Sequence, residues 1–506
     1  MFEENLMRLS DIVALLIYLG LMACMGVYFS RKNTTTDDYF LGGRNFPGWA
    51  LGLSMVGTSV SSVTFLAFPA AAFVLDWRMV VPNLTLPVVS IIAIVIFIPF
   101  FRHGKTASAF EYLEDRFGPI VRLYGAVGFI ITQLIRIATV LYLMAIPINL
   151  LTGIDILWAI IITGIFVSFY TVAGGIDAVI WTDVIQTITL WVGGLLCLAI
   201  MIIKMPHGLG QIMDIAIEDH KFGIGEFKWD MGERTFYTMV LAGIVNWIGM
   251  YASDQNVVQR YIAAKSMKEA RKATAICAIA SVPTWAFFFF IGTAMFAFYK
   301  VFPDAQIAQL EPDQVFPIFI LTQLPQFFAG LVIAGVLAAG MSSLDSSINA
   351  VSTISIVDIL QRFSVKKYTE KQYLIFAQSI ALITSVIMII GAIVFERLPK
   401  ESMMDMGMIA GGIFSGSKIG LYIAGFFTKR ISNKASIIAL VITTIFNLYL
   451  GLNTINALPE NWQMRVHAYW IMTLVNAAFF FIAYLLSFIF KNEKQIEGLT
   501  VWNEKA

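Results

Sequence analysis

The chain has 506 residues, of which 58% are hydrophobic and only 13% are charged, and its formal net charge is +1. Its mean hydropathy of +0.78 excludes an ordinary soluble fold. The three cysteines are isolated in apolar surroundings, which excludes a disulfide framework and a cysteine-based metal site. We therefore interpret the chain as an integral membrane protein.

Apolar segments long enough to cross a membrane recur along the whole chain. A hydrocarbon core about 30 Å thick needs about 20 helical residues for each crossing. We predict thirteen spans, near residues 11–29, 46–74, 80–101, 120–151, 155–174, 182–203, 236–262, 273–302, 314–360, 375–395, 404–428, 433–452 and 467–490. The connections are too short for a separate domain, so residues 1–506 are predicted to form a single all-α integral membrane domain.

Lysine and arginine are unevenly distributed between alternate sides of these spans. With the N-terminus outside, the inward loops hold about two-thirds of the 34 basic residues, among them Arg260, Lys265 and Lys268. Because basic loops remain cytoplasmic, we predict a multi-pass protein of the cell membrane with its N-terminus outside and its C-terminus in the cytoplasm. This asymmetry also supports the count of thirteen, since removing one span would destroy it.

Residues that weaken a helix are concentrated in the second span, in GLSMVGTSVSSVTF at 52–65. Its glycines lower helix stability, and its β-branched and hydroxyl residues favour other conformations. Unwound backbone in mid-membrane is tolerated only where it lines a cavity or holds an ion, as in the discontinuous helices of transporters. The sequence predicts a broken helix here, with close packing through small residues as the alternative.

Arg136 lies at the centre of the fourth span, in GFIITQLIRIATVLYLMAI, with no acidic residue within four positions on either side. A charge at that depth must be compensated. One interpretation is an ion pair with a carboxylate on another helix. The other is a planar, bidentate contact with an anionic group of a substrate, which suits the geometry of a guanidinium. We favour the anionic substrate.

Three further charged residues lie within or beside predicted spans. Asp183 begins the sixth span in WTDVIQTITLW, where a helix cap or a dipole interaction is the common role. Asp254 in ASDQNVVQRY and Lys418 in FSGSKIGLY lie nearer the cytoplasmic ends of their spans. We interpret Asp254 and Lys418 as solvated or structural residues.

The stretch GMSSLDSSINAVS, at 340–352, interrupts an apolar span with a polar stripe. Ser342, Asp345, Ser346 and Asn349 follow i, i+3, i+4, i+7 spacing and so share one helix face, which Ser343 flanks. A carboxylate at that depth costs about 3 kcal/mol unless it is paired or neutralised. A hard monovalent cation held by oxygen atoms would neutralise it. The alternative is that the hydroxyls bond back to their own helix or join it to neighbouring helices.

Four longer segments occur in order and at characteristic spacing: DDYFLGGRNFPGWALGLSM (37–55), GGIDAVIWTDVIQ (174–186), SDQNVVQRY (253–261) and AAGMSSLDSSINAVSTISIVDI (338–359). In these segments, and over nearly its whole length, the chain resembles the sodium:solute symporter family. The resemblance implies a five-plus-five inverted repeat of the leucine-transporter type. The implied parts are an extra helix at 11–29, core repeat one at 46–203, core repeat two at 236–428, and two extra helices within 433–490.

The resemblance also implies a second broken helix and a sodium site. It pairs the second span with the seventh, 236–262, where Gly243, Gly249 and the polar Asn246 agree with a break. In the family, carbonyl groups of the first broken helix and carbonyl and hydroxyl groups of the eighth core helix hold the main sodium ion. Those positions are here Gly57, Val60, Ala339, Ser342 and Ser343.

Within the family, the chain is most similar to bacterial sialic acid symporters, because DYFLGGRNFPGWALGLSM continues into SSVTF and the helix of Arg136 aligns without gaps. The similarity implies that the substrate carboxylate is held by Ser61, Ser62, Thr64 and Arg136. Asn246 is assigned to the same substrate site. At Asn83 a related symporter has a glutamine facing the substrate, so the side chain is one methylene shorter here.

The same similarity implies an accessory sodium site at Asp183, Ser342, Asp345 and Ser346. Asp345 stands where a serine would complete that site. Two carboxylates there could bind sodium more tightly or could share a proton, which leaves the number of coupled ions open.

The function implied is sodium-coupled secondary active import of an anionic sugar acid, most directly sialic acid (N-acetylneuraminate). The partners are this small-molecule substrate, Na+ as the coupling ion and the lipid bilayer, and no nucleic acid. The alternative is the same scaffold carrying another solute, a neutral sugar, an amino acid or another monocarboxylate, with Arg136 paired to protein. An enzyme is not expected, since the sequence has no HExxH motif and its four histidines are scattered.

Overall fold

The computed structural model describes residues 8–31, 35–60, 63–102, 108–397, 416–494, 496 and 498–502. Within these ranges the regular structure is helical, with no β-strand and an isolated bridge between Phe46 and Ala264. In the same ranges, nine helices are long and apolar enough to cross a membrane, or ten if the bent pair Gly48–Ser59 and Thr64–Val74 counts as one span. The all-helical membrane architecture predicted from the sequence is confirmed.

The described residues before 236 form ten α-helices. They are α1 (Leu9–Ser30), α2 (Thr36–Leu41), α3 (Gly48–Ser59), α4 (Phe68–Val74), α5 (Leu86–Ile92), α6 (Ile98–Arg102), α7 (Glu111–Phe117), α8 (Pro119–Thr152), α9 (Ile156–Lys204) and α10 (Gly208–Glu218). Shorter π and 3-10 turns lie between them, at Gly42–Arg44, Val63–Ala67, Trp77–Val80, Asn83–Thr85 and Ala93–Phe97.

The described residues from 236 onward form ten more. They are α11 (Phe236–Ser253), α12 (Gln255–Ala263), α13 (Met267–Val301), α14 (Pro312–Gln323), α15 (Phe328–Ile354), α16 (Gln361–Phe363), α17 (Glu370–Glu396), α18 (Lys418–Phe427), α19 (Asn433–Thr454) and α20 (Trp470–Leu486). A π turn, Ser355–Leu360, joins α15 to α16. The predicted region 314–360 is thus divided between α14 and α15, and the predicted span 404–428 lies within the described residues only from 416 onward.

Helix α9 contains two of the predicted spans. Its 49 residues would measure about 74 Å if straight, more than twice the hydrocarbon thickness. Gly175 interrupts it with φ 58° and ψ −159°, a conformation open to glycine and strained for other residues. Asp183 follows this break by two turns and lies inside the helix. The interpretation of Asp183 as a helix cap is therefore wrong.

Within the described residues, two of the predicted spans, 46–74 and 236–262, are interrupted. Helix α3 ends at Ser59, Val60 has φ −102° and ψ 85°, and the next helical segment is inclined by 61° to α3. The second break lies at Asp254, whose ψ of 118° separates α11 from α12 and whose carboxylate caps α12 by accepting from the Asn256 N–H. The break predicted within 52–65 is confirmed.

The second break does not lie at the glycines that the sequence suggested. Gly243 and Gly249 are inside the continuous helix α11. A Cβ on Gly243 would lie 2.3 Å from the Pro82 carbonyl oxygen, and one on Gly249 would lie 2.6 Å from Ile419 Cδ1. These glycines allow close packing of α11 against its neighbours, as small residues commonly do in membranes.

Helix α15 forms the centre of the described structure. Every residue from 332 to 354 is buried, and the helix packs against α1, α3, α8, α9 and α17. The polar stripe of 340–352 therefore faces protein on all sides, as predicted for a face that lipid cannot solvate.

An ion cluster joins the first turn of α8 to the π turn that follows α15. Arg122 bonds to Asp358 at 2.6 Å and to Glu114 on α7 at 2.8 Å, and Glu114 also bonds to Arg362 at 2.5 Å. The hydrogen bond from Arg362 and the nearby charge of Arg122 lower the pKa of Glu114 below its usual range. The cluster holds α8, which carries Arg136, in register with α15, which carries Ser342.

Arg122→Gln should destabilise the protein by about 3 kcal/mol or more, because it leaves the buried Asp358 carboxylate without its counter-ion. Thermal unfolding of the purified protein in detergent measures the effect. Lys228→Gln, which removes an exposed pair with Glu226 and Glu233, is the control and should leave the midpoint almost unchanged. Equal midpoints for the two variants would contradict a structural role for the cluster.

Candidate functional site

The side chains of Asp183 and Ser342 meet between α9 and α15. The Ser342 hydroxyl donates to Asp183 Oδ1, and both side chains are buried, with exposed fractions of 1% for Ser342 and 0% for Asp183. The sequence placed these residues 159 positions apart, and only the packing of α9 on α15 brings them together.

The first broken helix reaches α15 through Gly57. A Cβ at this position would lie 2.8 Å from both Ser342 Oγ and Thr187 Oγ1. Three residues later the backbone leaves helical geometry at Val60, which releases carbonyl groups from the helical hydrogen-bond ladder. The break of α3 and the hydroxyl of Ser342 are therefore neighbours.

The donor set around this contact suits a hard cation. Ala339 and Ser343 lie on α15 and are buried, and the Ser343 hydroxyl has no hydrogen-bond partner among the residues that the structure describes. An unpartnered buried hydroxyl and backbone released from a helix are oxygen donors of the kind that sodium requires. The types of donor at the five predicted positions therefore suit a sodium ion, and the assignment of these residues to a sodium site stays a prediction.

Arg260 is a central residue that the sequence reasoning missed. Its side chain is 1% exposed, and Nη2 lies 2.8 Å from each of Asp183 Oδ2, Thr58 Oγ1 and Ser346 Oγ. Its Nε donates to Ser54 Oγ at 2.8 Å. The assignment of Arg260 to a cytoplasmic loop is wrong, and the available signal was its position inside the predicted span 236–262.

Asp345 has a different set of partners. It is fully buried, and Oδ2 accepts a hydrogen bond from Tyr170 Oη at 3.0 Å and a longer one from Thr182 at 3.5 Å. Ser346 Oγ lies 3.4 Å from the other oxygen. Across the described part of the chain, no basic side chain lies within 4.0 Å of Asp345. The residues predicted for the accessory site are therefore close together, but Asp183 and Asp345 have separate partners.

Arg136 lies beside the break of α3. Its Nη2 donates to the Thr58 carbonyl at 3.1 Å, and the side chain is half-buried. Within the described ranges no carboxylate lies within 4.0 Å of it, so the alternative of an ion pair with another helix receives no support there. Ser61 and Ser62 lie outside the described residues, and Thr64, just after them, is buried.

Asn83 and Asn246 lie on neighbouring elements. Asn83 begins the turn Asn83–Thr85, which packs against α11, and Asn246 lies on α11. Trp247 Nε1 donates to the Pro82 carbonyl at 3.2 Å, which fixes this contact. Both asparagines are half-buried, and no hydrogen bond between described residues joins either of them to Arg136.

Asp254 and Lys418, the other two charged residues considered in the sequence, contact groups within the protein. Asp254 caps α12 and accepts from Gln133 Nε2 at 3.3 Å. Lys418 is buried at the start of α18, and its Nζ lies 5.8 Å from the centre of the Phe129 ring. These contacts agree with a structural role for both residues. A solvated role does not fit Lys418, because its side chain is buried.

The model of the sodium:solute symporter family matches residues 39–443. The chain belongs to the sodium:solute symporter family. It is therefore a sodium-coupled transporter and not an enzyme, and sodium is its coupling ion.

Two relatives of this symporter have names that state the solute they transport. It is 32% identical over 431 residues to the sodium/sialic acid symporter SiaT of Proteus mirabilis (strain HI4320), which is 85% of this chain and 86% of that one. It is 31% identical over 432 residues to the sodium/sialic acid symporter NanT of Aliivibrio fischeri (strain ATCC 700601 / ES114), 85% of each chain.

The chain is also similar in structure to a solved Na+-coupled sialic acid symporter. The solved structure is the substrate-bound outward-open state of a Na+-coupled sialic acid symporter and is described as revealing a novel Na+ site. The similarity has a TM-score of 0.88 at 29% identity and covers 96% of this chain and 99% of that one.

Gly57→Ala should disrupt the contact between α3 and α15, because its Cβ would meet the hydroxyls of Ser342 and Thr187 at 2.8 Å. We expect a loss of stability of about 1 to 3 kcal/mol and a smaller rise in unfolding temperature on adding sodium. Gly20→Ala is the control, since a Cβ there meets nothing within 4 Å. Sodium stabilising both variants equally would show that this contact does not matter for the ion.

Proposed function

We propose that this symporter imports an anionic sugar acid, most directly sialic acid (N-acetylneuraminate), together with sodium. The observation that carries the proposal is Arg136, a guanidinium deep in a membrane helix whose described partner is the Thr58 carbonyl. A cation at that depth favours an anionic ligand, and the planar guanidinium can hold a carboxylate through two parallel hydrogen bonds. Support also comes from the two sialic acid symporters to which it is identical at about a third of the aligned residues.

The proposed architecture has thirteen spans in one membrane domain, residues 1–506, with the N-terminus outside and the C-terminus cytoplasmic. Core repeat one is 46–203 and core repeat two is 236–428, related by an inverted five-plus-five repeat. The extra helices are 11–29 and two within 433–490. Support comes from the breaks at Val60 and Asp254, which fall in the first helix of each proposed repeat.

The proposed main sodium site lies between the break of α3 and helix α15. Its ligands are Gly57, Val60, Ala339, Ser342 and Ser343. The contact of Gly57 with Ser342 supports it, as does the unpartnered Ser343 hydroxyl. Sodium bound there would hold α3 against α15, two elements that carry separate parts of the site.

The proposed substrate site lies on the other side of the same break. Its residues are Ser61, Ser62, Thr64, Asn83, Arg136 and Asn246. Because Arg136 bonds to the carbonyl of Thr58, at the end of α3, substrate bound to Arg136 would sense the conformation of the segment that also holds sodium. Each ligand then raises the affinity of the other by the same factor, which is the thermodynamic basis of coupled transport.

Arg136→Ala should strongly weaken substrate binding and leave sodium binding intact. Loss of a charge-assisted contact with a buried carboxylate is expected to weaken apparent affinity about 100-fold or more. The measurement is uptake of labelled N-acetylneuraminic acid into proteoliposomes under an inward sodium gradient, compared with potassium. Arg465→Ala, whose side chain is 77% exposed, is the control. Normal uptake by Arg136→Ala would refute the assigned role.

Ser342→Ala should raise the sodium concentration needed for half-maximal uptake, because it removes a hydroxyl ligand and the hydrogen bond to Asp183. A shift of about 10-fold corresponds to the loss of one such contact. Ser379→Ala is the matched control, since that exposed hydroxyl bonds only back to Ile375 on α17. An unchanged sodium dependence in Ser342→Ala would exclude Ser342 from the site.

The uptake assay also separates the two candidate cargoes. Accumulation of N-acetylneuraminic acid above equilibrium, only with sodium, establishes coupling and substrate together. Sodium binding without uptake would indicate another solute of the same family and would remove Arg136 from its proposed role.

A further inference from the structure

Lys418 is a buried lysine inside a membrane segment, and neither the sodium site nor the substrate site uses it. It is 7% exposed and lies at the start of α18, outside the four segments that carry the family resemblance. No ion pair or hydrogen bond joins its ammonium to another described residue, and its contact is the Phe129 ring at 5.8 Å. A cation in such a place is costly unless another charge compensates it. Its role therefore depends on the charges that surround it.

The residues on either side of Lys418 place it between α8 and α11. The Ser417 N–H donates to the Tyr124 hydroxyl of α8 at 3.2 Å. A Cβ on Gly249 of α11 would lie 2.6 Å from Ile419 Cδ1, so the next residue packs tightly on the other helix. The start of α18 is thus fixed against both neighbours.

The contact of Lys418 lies on the same face of α8 as Arg136. Phe129, Gln133 and Arg136 follow i, i+4, i+7 spacing, which puts their side chains on one face of a helix. Seven helical residues measure about 10 Å. Two helical turns therefore separate the ring that contacts Lys418 from the guanidinium assigned to the substrate.

Asp254 lies beside this face, at the break between α11 and α12. Its Oδ2 accepts from Gln133 Nε2 at 3.3 Å, one turn from Arg136 along α8. Among the described residues it is the carboxylate whose charge acts on both Arg136 and Lys418. One acidic side chain thus lies near two cations and forms an ion pair with neither.

We propose that Lys418 is a specificity-determining residue that balances the charge of Asp254, so that the charge of Arg136 stays available for one negative charge on the cargo. Two cations and one carboxylate leave a net charge of +1 beside the second break, which a monovalent anion neutralises. Arg260, which also acts on Arg136, does not change this sum, because it is paired with Asp183 at 2.8 Å.

The proposal rests on the proposed function, because it assumes that Arg136 holds the carboxylate of the cargo. It adds what sets the preference for an anion over a neutral solute. Without Lys418, the field of Asp254 would compensate Arg136 and oppose an incoming anion. A unit charge about 10 Å away, at an effective dielectric constant of about 20, changes the affinity for an ion by about 10-fold.

Lys418→Met removes the charge and keeps a flexible side chain. We expect the Kd of N-acetylneuraminic acid, measured in sodium by titration calorimetry on the purified full-length protein, to rise about 10-fold. Lys418→Arg keeps the charge and should bind like the wild type. Lys434→Met, which removes an exposed lysine in the first turn of α19, is the control. Wild-type affinity in a folded Lys418→Met protein would overturn the proposal.

The double variant Lys418→Met/Asp254→Asn separates a charge effect from a packing effect. Asparagine can still cap α12 but carries no charge, so the net charge of +1 is restored and the Kd should return close to that of the wild type. A purely structural role for Lys418 would leave the double variant as weak as the single one. The neutral methyl ester of the same sugar acid should not respond to Lys418→Met, and an equal loss of ester and acid binding would overturn the proposal.

Asp254→Asn alone decides the question if Lys418→Met does not fold. Two cations without the carboxylate should bind the acid about 10-fold more tightly than the wild type, and equal or weaker binding would overturn the proposal. If the wild-type protein does not bind N-acetylneuraminic acid at all, the proposed function fails as well. Wild-type binding together with unresponsive variants would overturn this inference alone.

Discussion

Arg260 and Asp183 form a fully buried ion pair, with 2.8 Å between Nη2 and Oδ2, at the point where α3, α9, α12 and α15 meet. A charge in a membrane interior is costly unless it is paired and its remaining hydrogen-bonding groups are satisfied. The hydroxyl oxygens of Ser54, Thr58 and Ser346 accept hydrogen bonds from Arg260. The requirement to keep this pair intact fixes the relative positions of both broken helices and of the helix that carries the polar stripe.

Small residues make this arrangement possible. In lipid there is no hydrophobic force that drives one apolar helix onto another, so close backbone approach and hydrogen bonds determine the packing. Gly57 brings α3 onto the hydroxyls of Ser342 and Thr187, and Gly243 brings α11 onto the backbone of Pro82. The glycines therefore set the spacing between helices, and the charged and hydroxyl side chains set their register.

The two breaks show how far local sequence could predict the site. The stretch 52–65 combines glycine with hydroxyl and β-branched residues, and the helix does end there, at Ser59. In α11 the glycines suggested a break that the structure does not have. Gly243 and Gly249 each face a neighbouring element that leaves no room for a side chain, so they serve close packing. The actual break lies at Asp254, which resembles a helix cap more than a helix breaker in sequence.

Composition and periodicity determined that this is an all-helical membrane protein. They also determined that α3 is interrupted and that the face of 340–352 is buried. Each of these features depends on about 20 consecutive residues. Short motifs pointed to the family. Tertiary structure alone decided which charges are partners. Asp183 and Arg260 are 77 residues apart, and nothing in either segment indicates the other. Their pairing depends on the packing of four helices, so only the fold decides that Asp183 has Arg260 as its counter-ion.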